Sequence, residues 1–364
     1  MQKDKKKKVM YLITGLHTGG AEMLVRDMSD RIDTDKFKTT VISIMPLGDI
    51  GKQIQVLDIQ VYSLGIRSKY NPLAIFKLFK ILKKESPDIL HTHLFHADIL
   101  GRVLGSITGV PKIISTIHNV EFGSLFREKL LSLTRSFVDL NIAVSKRVAS
   151  NAVKKGIVDK DKVQVIHNGI NLKNFPEKDK AEMRNKLDIP KYKKVFVSVG
   201  SLTKQKGYTY LIQAVASVDK EALFIILGEG PEREKLKGQI QDYGLQDKII
   251  LKGNVDNVNE FLQAANFFIM PSLWEGFSVA LLEAAWAGKV IIATDVGGNT
   301  EIINDSETGF LVDSEDAKRL AGKIDYVFTL TSDKIDSIGR RAKERVGDEF
   351  SIQKMVDNHE ELYE

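Results

Sequence analysis

The sequence predicts an α/β protein in which one architecture is built twice along a single chain. Three observations carry that reading. Short β-rich runs alternate with helical patterns from end to end, as expected of strands joined by crossover helices. Several runs are nearly continuous apolar stretches, such as Val195-Phe196-Val197-Ser198-Val199 and Leu223-Phe224-Ile225-Ile226-Leu227. Runs of that kind suit strands covered on both faces, as in parallel sheets. The alternation is interrupted once, after the turn signal Asn168-Gly169, by a polar, Lys-rich stretch holding Pro176 and Pro190.

The strand candidates of the first half are 9–16, 39–45, 60–66, 88–94, 112–119, 140–145 and 163–167. Those of the second half are 195–201, 222–228, 249–253, 267–272, 290–295 and 309–312. Helical patterns fill the intervals, among them 72–85, 208–218 and a largely apolar one from about Phe277. The expected organisation is a first domain over 1–170, a linker over 171–194, a second domain over 195–346 and a closing segment over 347–364. That segment reads as an acidic helix from Ser351 onward. No repeat of solenoid length is visible. Ligands of open parallel sheets bind beyond the carboxyl ends of the strands, so chemistry is sought in the loops that follow them.

Composition removes several classes. With 364 residues, 43% hydrophobic and 28% charged, the chain is an ordinary globular mix long enough for two domains. It has no Cys, which excludes a disulfide framework, a thiol nucleophile, an iron–sulfur cluster and Cys-ligated zinc. None of the seven His forms a helical metal-ligating pair with a Glu beside it. No apolar run approaches the ~18–20 residues that span a bilayer. The lysines at 5–8 resemble a signal-peptide start, but no small-residue cleavage site follows the apolar run after them, so a cytoplasmic protein is expected. Residues 1–168 carry 27 Lys/Arg against 16 Asp/Glu, and the remainder 26 against 32. A basic half suggests an anionic partner on that side. Aromatic–basic interleaving and nucleic-acid motifs are missing, so an anionic membrane surface is preferred to nucleic acid. A helix over 72–85 sharpens this, with Lys77, Lys80 and Lys84 on one face and Lys83 adjacent. An ordinary sheet-covering helix with a solvated lysine face explains the same pattern.

Three loops follow strands and open helices. The first is Gly15-Leu16-His17-Thr18-Gly19-Gly20-Ala21-Glu22, whose glycines let backbone amides approach an anion at a helix N-terminus. It is neither a G-x-G-x-x-G nor a Walker A sequence, and a plain tight turn explains it as well. The second is Gly200-Ser201-Leu202-Thr203-Lys204-Gln205-Lys206-Gly207, where a Lys beside a helix N-terminus is a phosphate clamp or simply a solvated turn residue. The third, Pro271-Ser272-Leu273-Trp274-Glu275-Gly276-Phe277-Ser278, leads into an apolar helix that contains Glu283. A buried carboxylate needs a charged neighbour or a ligand hydroxyl. Glu275 and Glu283 stand eight apart, an offset of about 80° at ~3.6 residues per turn, so both can face one ligand. Taken alone, two structural salt bridges are the simpler account.

Together these loops resemble the retaining family-4 glycosyltransferases of GT-B fold, with the E-x7-E motif at Glu275 and Glu283. The likeness spans nearly the whole chain. It includes Gly19 to Glu22, Pro87-Asp88-Ile89-Leu90-His91 with His93, Ile117-His118-Asn119, and Ile166-His167-Asn168-Gly169-Ile170-Asn171. It continues through Lys206-Gly207, Leu227-Gly228-Glu229-Gly230-Pro231, Pro271-Ser272, Glu275-Gly276-Phe277 and Gly297-Gly298 with Glu301. The resemblance implies two Rossmann-like domains with parallel sheets facing across a cleft, and a C-terminal helix crossing back to the first domain. It implies that the first domain serves the acceptor and the second the nucleotide sugar, a UDP-sugar by preference.

By the same resemblance, Glu283 takes the ribose hydroxyls and Glu275 the transferred sugar. Backbone amides at Gly276, Phe277 and Ser278 hold sugar and diphosphate, and Lys206 neutralises the leaving phosphate. Gly19 and Gly20 admit the diphosphate, and His118 sits near the sugar. Loops at Gly228, Gly230, Asn254 and Val255 receive the base. Members of the family often carry Arg where this chain has Ser201, which leaves one cation fewer in the clamp unless Lys204 substitutes. The implied reaction is a front-face displacement onto a hydroxyl of a cell-surface glycan or lipid-linked acceptor, with no bound metal and no cofactor. The D-x-D patterns at Asp33-Thr34-Asp35 and Asp159-Lys160-Asp161 read as surface turns. The competing readings are a GT-B epimerase or hydrolase of nucleotide sugars and a non-catalytic nucleotide-sugar-binding subunit.

Overall fold

Where the sequence places strands, strands form. The computed structural model describes residues 6–17, 19–66 and 72–364; the first lysines, up to Lys5, and Thr18 of the first glycine loop lie outside these. The chain divides into two compact units, one of residues 1–169 with 352–364 and one of residues 170–351.

Unit 1 holds β1 (Lys7–Ile13), β2 (Phe37–Ser43), β3 (Gln60–Ser63), β4 (Ile89–His93), β5 (Lys112–Ile117), β6 (Leu140–Ala143) and β7 (Val163–Val165). They pair in parallel in the order β3-β2-β1-β4-β5-β6-β7. Right-handed crossovers put the helices that run leftward in this order, Gly20–Arg31 and Asp49–Val56, on one face. Pro72–Glu85, Phe95–Thr108 and Leu125–Leu133 then cover the other. Each face has its own apolar cluster. Tyr11, Val25 and Met28 pack on the first face, and Leu12, Leu78, Leu82 and Leu104 on the second.

Unit 2 holds β8 (Lys194–Val199), β9 (Ala222–Leu227), β10 (Ile249–Gly253), β11 (Phe267–Met270), β12 (Val290–Thr294) and β13 (Phe310–Val312), all parallel, in the order β10-β9-β8-β11-β12-β13. Its core is centred on three phenylalanines from adjacent strands. Phe196 lies 4.6 Å from Phe224 and 4.8 Å from Phe267 between ring centroids.

Most strands end before the expected limit, as β1 does at Ile13 and β8 at Val199. Side chains past those points are still buried (Leu16 is one) although the backbone has left the sheet. Apolar patterning reports burial, not ladder pairing, so it overruns into the loops that carry the candidate chemistry.

The segment expected as a linker is folded into unit 2. Asp179 caps the Lys180–Lys186 helix by accepting from the Glu182 amide at 2.8 Å. Arg184 is buried and donates to the carbonyls of Ala264 (3.0 Å) and Lys191 (2.9 Å) and to Asn266 Oδ1 (2.6 Å). Lys178 and Lys186 both reach Glu260, whose carboxyl they hold down at about 2. A composition rich in cations reads as solvated, yet here the cations find buried acceptors. The closing segment also divides later than expected. The Ser332–Glu349 helix belongs to unit 2, and the last helix, Ile352–Tyr363, lies in unit 1. There Ile352, Met355, Val356 and Tyr363 complete the cluster around Tyr11.

All seven histidines of the chain belong to unit 1. His91, His93 and His359 are buried, and desolvation holds His91 and His93 well below the ordinary imidazole value and His359 at about 4. Below about pH 6.5 an unfolded chain takes up protons that these native rings refuse, so stability falls as pH falls towards 4. The slope approaches about 1.4 kcal/mol per pH unit for each such ring. Hydrogen exchange, corrected for intrinsic rates, will show the β4 and β5 amides losing protection between pH 7.5 and 5.5 while the β8 and β11 amides do not. Equal behaviour of the two units contradicts this.

Candidate active site

Each unit carries its candidate residues at the carboxyl ends of its strands. In unit 2 the strand order reverses between β8 and β11, the place where open α/β sheets take ligands. The loops after these two strands are interlocked. The Leu273 amide donates to the Gln205 carbonyl at 2.7 Å, and Gln205 Nε2 donates to the Trp274 carbonyl at 3.0 Å. Two glycines permit the approach. A Cβ on Gly207 (φ +63°) would lie 2.0 Å from the Pro271 carbonyl oxygen. One on Gly297 (φ +52°), in the loop after β12, would lie 1.8 Å from the Glu275 carbonyl oxygen.

Between them sits Glu275, only 5% exposed. Its Oε1 is 2.5 Å from Lys206 Nζ and accepts from Ser272 Oγ at 2.7 Å. Lys206 is held by the short turn Lys204–Lys206, and its stem packs close to Gly200. An ammonium has three N–H donors and the bond to Glu275 uses one, so Lys206 can hold Glu275 and still meet an anion. The sequence places both residues, but their ion pair is a finding of the structure. Ser272 appears in the sequence only as part of a Pro-Ser motif.

The following helix is Val279–Trp286, and Ser278 Oγ caps it by accepting from the Leu281 amide at 3.3 Å. Gly276 and Phe277 therefore stay in the loop, where the Gly276 carbonyl accepts from the Gly298 amide at 2.9 Å. Glu283 stands one turn inside this helix and not two, because capping starts it at Val279. It is half-buried, whereas Glu275 is buried.

Gly228 and Gly230 follow β9. The Gly228 amide donates to the Gly253 carbonyl at 2.8 Å, and the Leu202 amide donates to the Glu229 carbonyl at 2.9 Å, which ties this loop to those after β10 and β8. Asn254 is exposed and Val255 half-buried directly beyond β10. Ser201 is exposed, its hydroxyl 3.4 Å from Thr203 Oγ1. Lys204 lines a small separate pocket with Tyr210, Glu232 and Lys235, to which neither Lys206 nor Glu275 contributes.

In unit 1, Gly19 is the N-cap of the Gly20–Arg31 helix, and a Cβ there would meet the Glu22 carboxylate at 2.3 Å. Burial raises the pKa of Glu22. His118 follows β5, half-buried, with its pKa lowered to about 4 by desolvation and by His359. Its Nε2 lies 3.1 Å from His93 Nδ1. The sequence motifs include His91 and His93, but nothing in their spacing reveals that His93 backs His118. Both D-x-D patterns are turns: Asp33 Oδ1 accepts from the Asp35 amide at 2.8 Å, and Asp159 pairs with Arg135 at 3.0 Å.

Known proteins resemble this arrangement throughout. The family model for glycosyl transferases group 1 matches residues 179–345, and that for glycosyltransferase family 4 matches residues 18–174. The UDP-Gal:alpha-D-GlcNAc-diphosphoundecaprenol alpha-1,3-galactosyltransferase of Escherichia coli is 30% identical, over 80% of this chain and 78% of its own. The chain belongs to glycosyltransferase family 4. Among solved structures, this glycosyltransferase is similar to one from Rickettsia africae ESF-5, with TM-score 0.84 and 25% identity over 98% of each chain. It is also similar to HepE of Anabaena in complex with UDP and glucose, with TM-score 0.88 and 20% identity over 98% of this chain and 99% of that one. The fold is GT-B.

The close approach at Gly297 is directly testable in this glycosyltransferase. Gly297→Ala is expected to destabilise unit 2 by about 2–4 kcal/mol, from left-handed backbone strain plus overlap with the Glu275 carbonyl. Gly238→Ala, in the Arg233–Asp242 helix with open space around it, should instead gain about 0.5–1 kcal/mol. Urea denaturation of the two variants decides; equal midpoints would show that the loops are not locked at Gly297.

Proposed function

We propose that this glycosyltransferase moves a hexose or N-acetylhexosamine from a UDP-sugar to a hydroxyl of a lipid-linked or cell-surface glycan acceptor. Anomeric configuration is retained, and neither a bound metal nor a further cofactor takes part. The observation that carries the reading is Glu275, fixed by Lys206 and Ser272 beside the start of the Val279–Trp286 helix. The E. coli relative is named for UDP-Gal and a diphosphoundecaprenol-linked GlcNAc, which favours a UDP-sugar and a lipid-linked acceptor, and the Anabaena structure holds UDP and glucose, which favours the UDP-sugar.

In this reading Glu283 accepts from the ribose hydroxyls, and Glu275 from hydroxyls of the sugar. The diphosphate meets Lys206 and the amides of Gly276, Phe277 and Ser278, with Gly19 and Gly20 admitting it from unit 1. His118 contacts the sugar, and the loops at Gly228, Gly230, Asn254 and Val255 receive uracil. The bond from the anomeric carbon to the β-phosphate oxygen breaks as the acceptor hydroxyl adds on the same face, and that hydroxyl's proton passes to the departing phosphate. Charge already in place where charge develops supplies the main acceleration, so no protein nucleophile is needed.

We also propose that unit 1 rests on an anionic membrane at the cytoplasmic leaflet. No helix among the described residues is long and apolar enough to cross a membrane. Instead the Pro72–Glu85 helix buries Leu78 and Leu82 and leaves Ile75 and Phe76 exposed among Lys77, Lys80, Lys83 and Lys84. Lys80 Nζ sits 4.3 Å from the Phe76 ring centroid. The first turn of the Leu125–Leu133 helix exposes Leu125 and Phe126 on the same side of the sheet. Apolar side chains ringed by lysines suit an interface of acyl chains and acidic headgroups.

Three measurements test these proposals. Calorimetric titration of UDP should find Glu283→Ala weakened by roughly 1.5–3 kcal/mol, the scale of a charge-assisted hydrogen bond. Glu275→Ala should keep parental UDP affinity while transfer, assayed in chelator with a UDP-sugar panel and a polyprenyl-diphosphate acceptor, collapses. The reverse pattern would exchange the two carboxylates, and activity restored only by magnesium or manganese would require a metal. Sedimentation with phosphatidylglycerol vesicles should exceed that with phosphatidylcholine and fall in Lys77→Glu/Lys80→Glu, each lysine being worth ~1 kcal/mol. Equal sedimentation with both lipids removes the membrane proposal.

A further inference from the structure

Beneath the carboxyl end of the unit 1 sheet lies a row of imidazoles. His91 and His93 are 4.3 Å apart between ring centroids, His93 and His118 5.3 Å, and His359 stacks on His91 at 5.7 Å. His91 is satisfied at both nitrogens by hydroxyls, Tyr363 Oη at Nδ1 and Thr116 Oγ1 at Nε2, each at 2.6 Å. His359 Nδ1 donates to the Met355 carbonyl at 2.7 Å. His93 differs. It is 1% exposed, its Nδ1 faces His118 Nε2, and its Nε2 is buried with no hydrogen-bond partner among the described residues.

From this geometry we infer that His93 is a positioning residue that fixes the tautomer of His118, leaving His118 Nδ1 protonated as a hydrogen-bond donor. A neutral imidazole carries one proton on one of its two nitrogens. A buried N–H without an acceptor is rarer in folded proteins than an acceptor without a donor. The His93 proton therefore sits on Nδ1 and not on the orphaned Nε2, and it is donated to His118 Nε2. His118 Nε2 must then offer its lone pair, so the proton of His118 is on Nδ1. Burial keeps both rings neutral, which leaves this arrangement intact across the physiological range. Its functional consequence rests on the proposed contact of His118 with the sugar. There His118 donates to a substrate oxygen and does not act as a base, in keeping with a departing phosphate that collects the acceptor's proton.

The assignment is tested without substrate by nitrogen NMR of the protein carrying ¹⁵N-histidine, with His118 identified by the signals lost in His118→Gln. Protonated and bare ring nitrogens resonate in separate ranges, and His118 is expected with Nδ1 protonated; a protonated Nε2 in the parent protein overturns the inference. In His93→Leu the tautomer of His118 should move toward protonated Nε2, and kcat should fall about 10–100-fold, the scale of a misplaced reacting group. His93→Asn, whose amide nitrogen can take the place of Nδ1, should stay within about threefold of the parent. Parental kcat in a folded His93→Leu overturns the positioning role. If His118→Ala itself transfers at the parental rate, the proposed contact of His118 fails, and the tautomer stands on the spectrum alone.

Discussion

A carboxylate 5% exposed to water is tolerable only when it is paired, and the active end of unit 2 is built around that requirement. Glu275 needs Lys206 and Ser272, and these come from the loops after β8 and β11. Those loops must meet at backbone distance, which Gly207 allows, and Gly297 lets the loop after β12 approach Glu275 as closely; any other residue obstructs at either place. Ion pair, glycine positions and strand order are thus one constraint viewed at three scales. The same constraint presents an ammonium and a helix start at the switch point, and it is there that the proposed reaction puts its anionic leaving group.

Unit 1 meets its polar burden by a different means. It buries His91, His93 and His359 as neutral rings, His91 held by two hydroxyls, His359 by a carbonyl and His93 by His118. Beside them a second buried network joins Asp98 to Thr92 and Ser115 at 2.6 Å each, with Arg102 donating to Ser115 and to the Leu131 carbonyl. These rings take up protons only well below neutrality, while the buried ion pair of Lys206 and Glu275 belongs to unit 2.

The strands and their two-fold repetition are legible because apolar runs such as 195–199 and 223–227 report burial on both faces. The site loops are legible because chemistry follows strands, and an ordered set of short motifs places Glu275, Lys206 and His118. Other features are three-dimensional. Whether Lys206 reaches Glu275 depends on β8 lying next to β11, which spacing does not encode. That Glu275 is buried and Glu283 only half-buried shows in the fold and not in their spacing. The cations of 178–186 look solvated until Glu260 and the carbonyl of Ala264 are found beside them. His93 stands two residues from His91 in one strand, yet only β5, delivering His118, gives it a different partner.

Lys206 and Glu275 should act as one unit, and a double-mutant cycle in the transfer reaction measures whether they do. Lys206→Met and Glu275→Gln should each slow kcat by about 10²–10³, the scale of losing one preorganised group. If the pair is a unit, the double variant should be little slower than the worse single one. Losses that multiply in the double variant, to about 10⁴ or more, would show that the two residues serve the reaction independently and not as a pair.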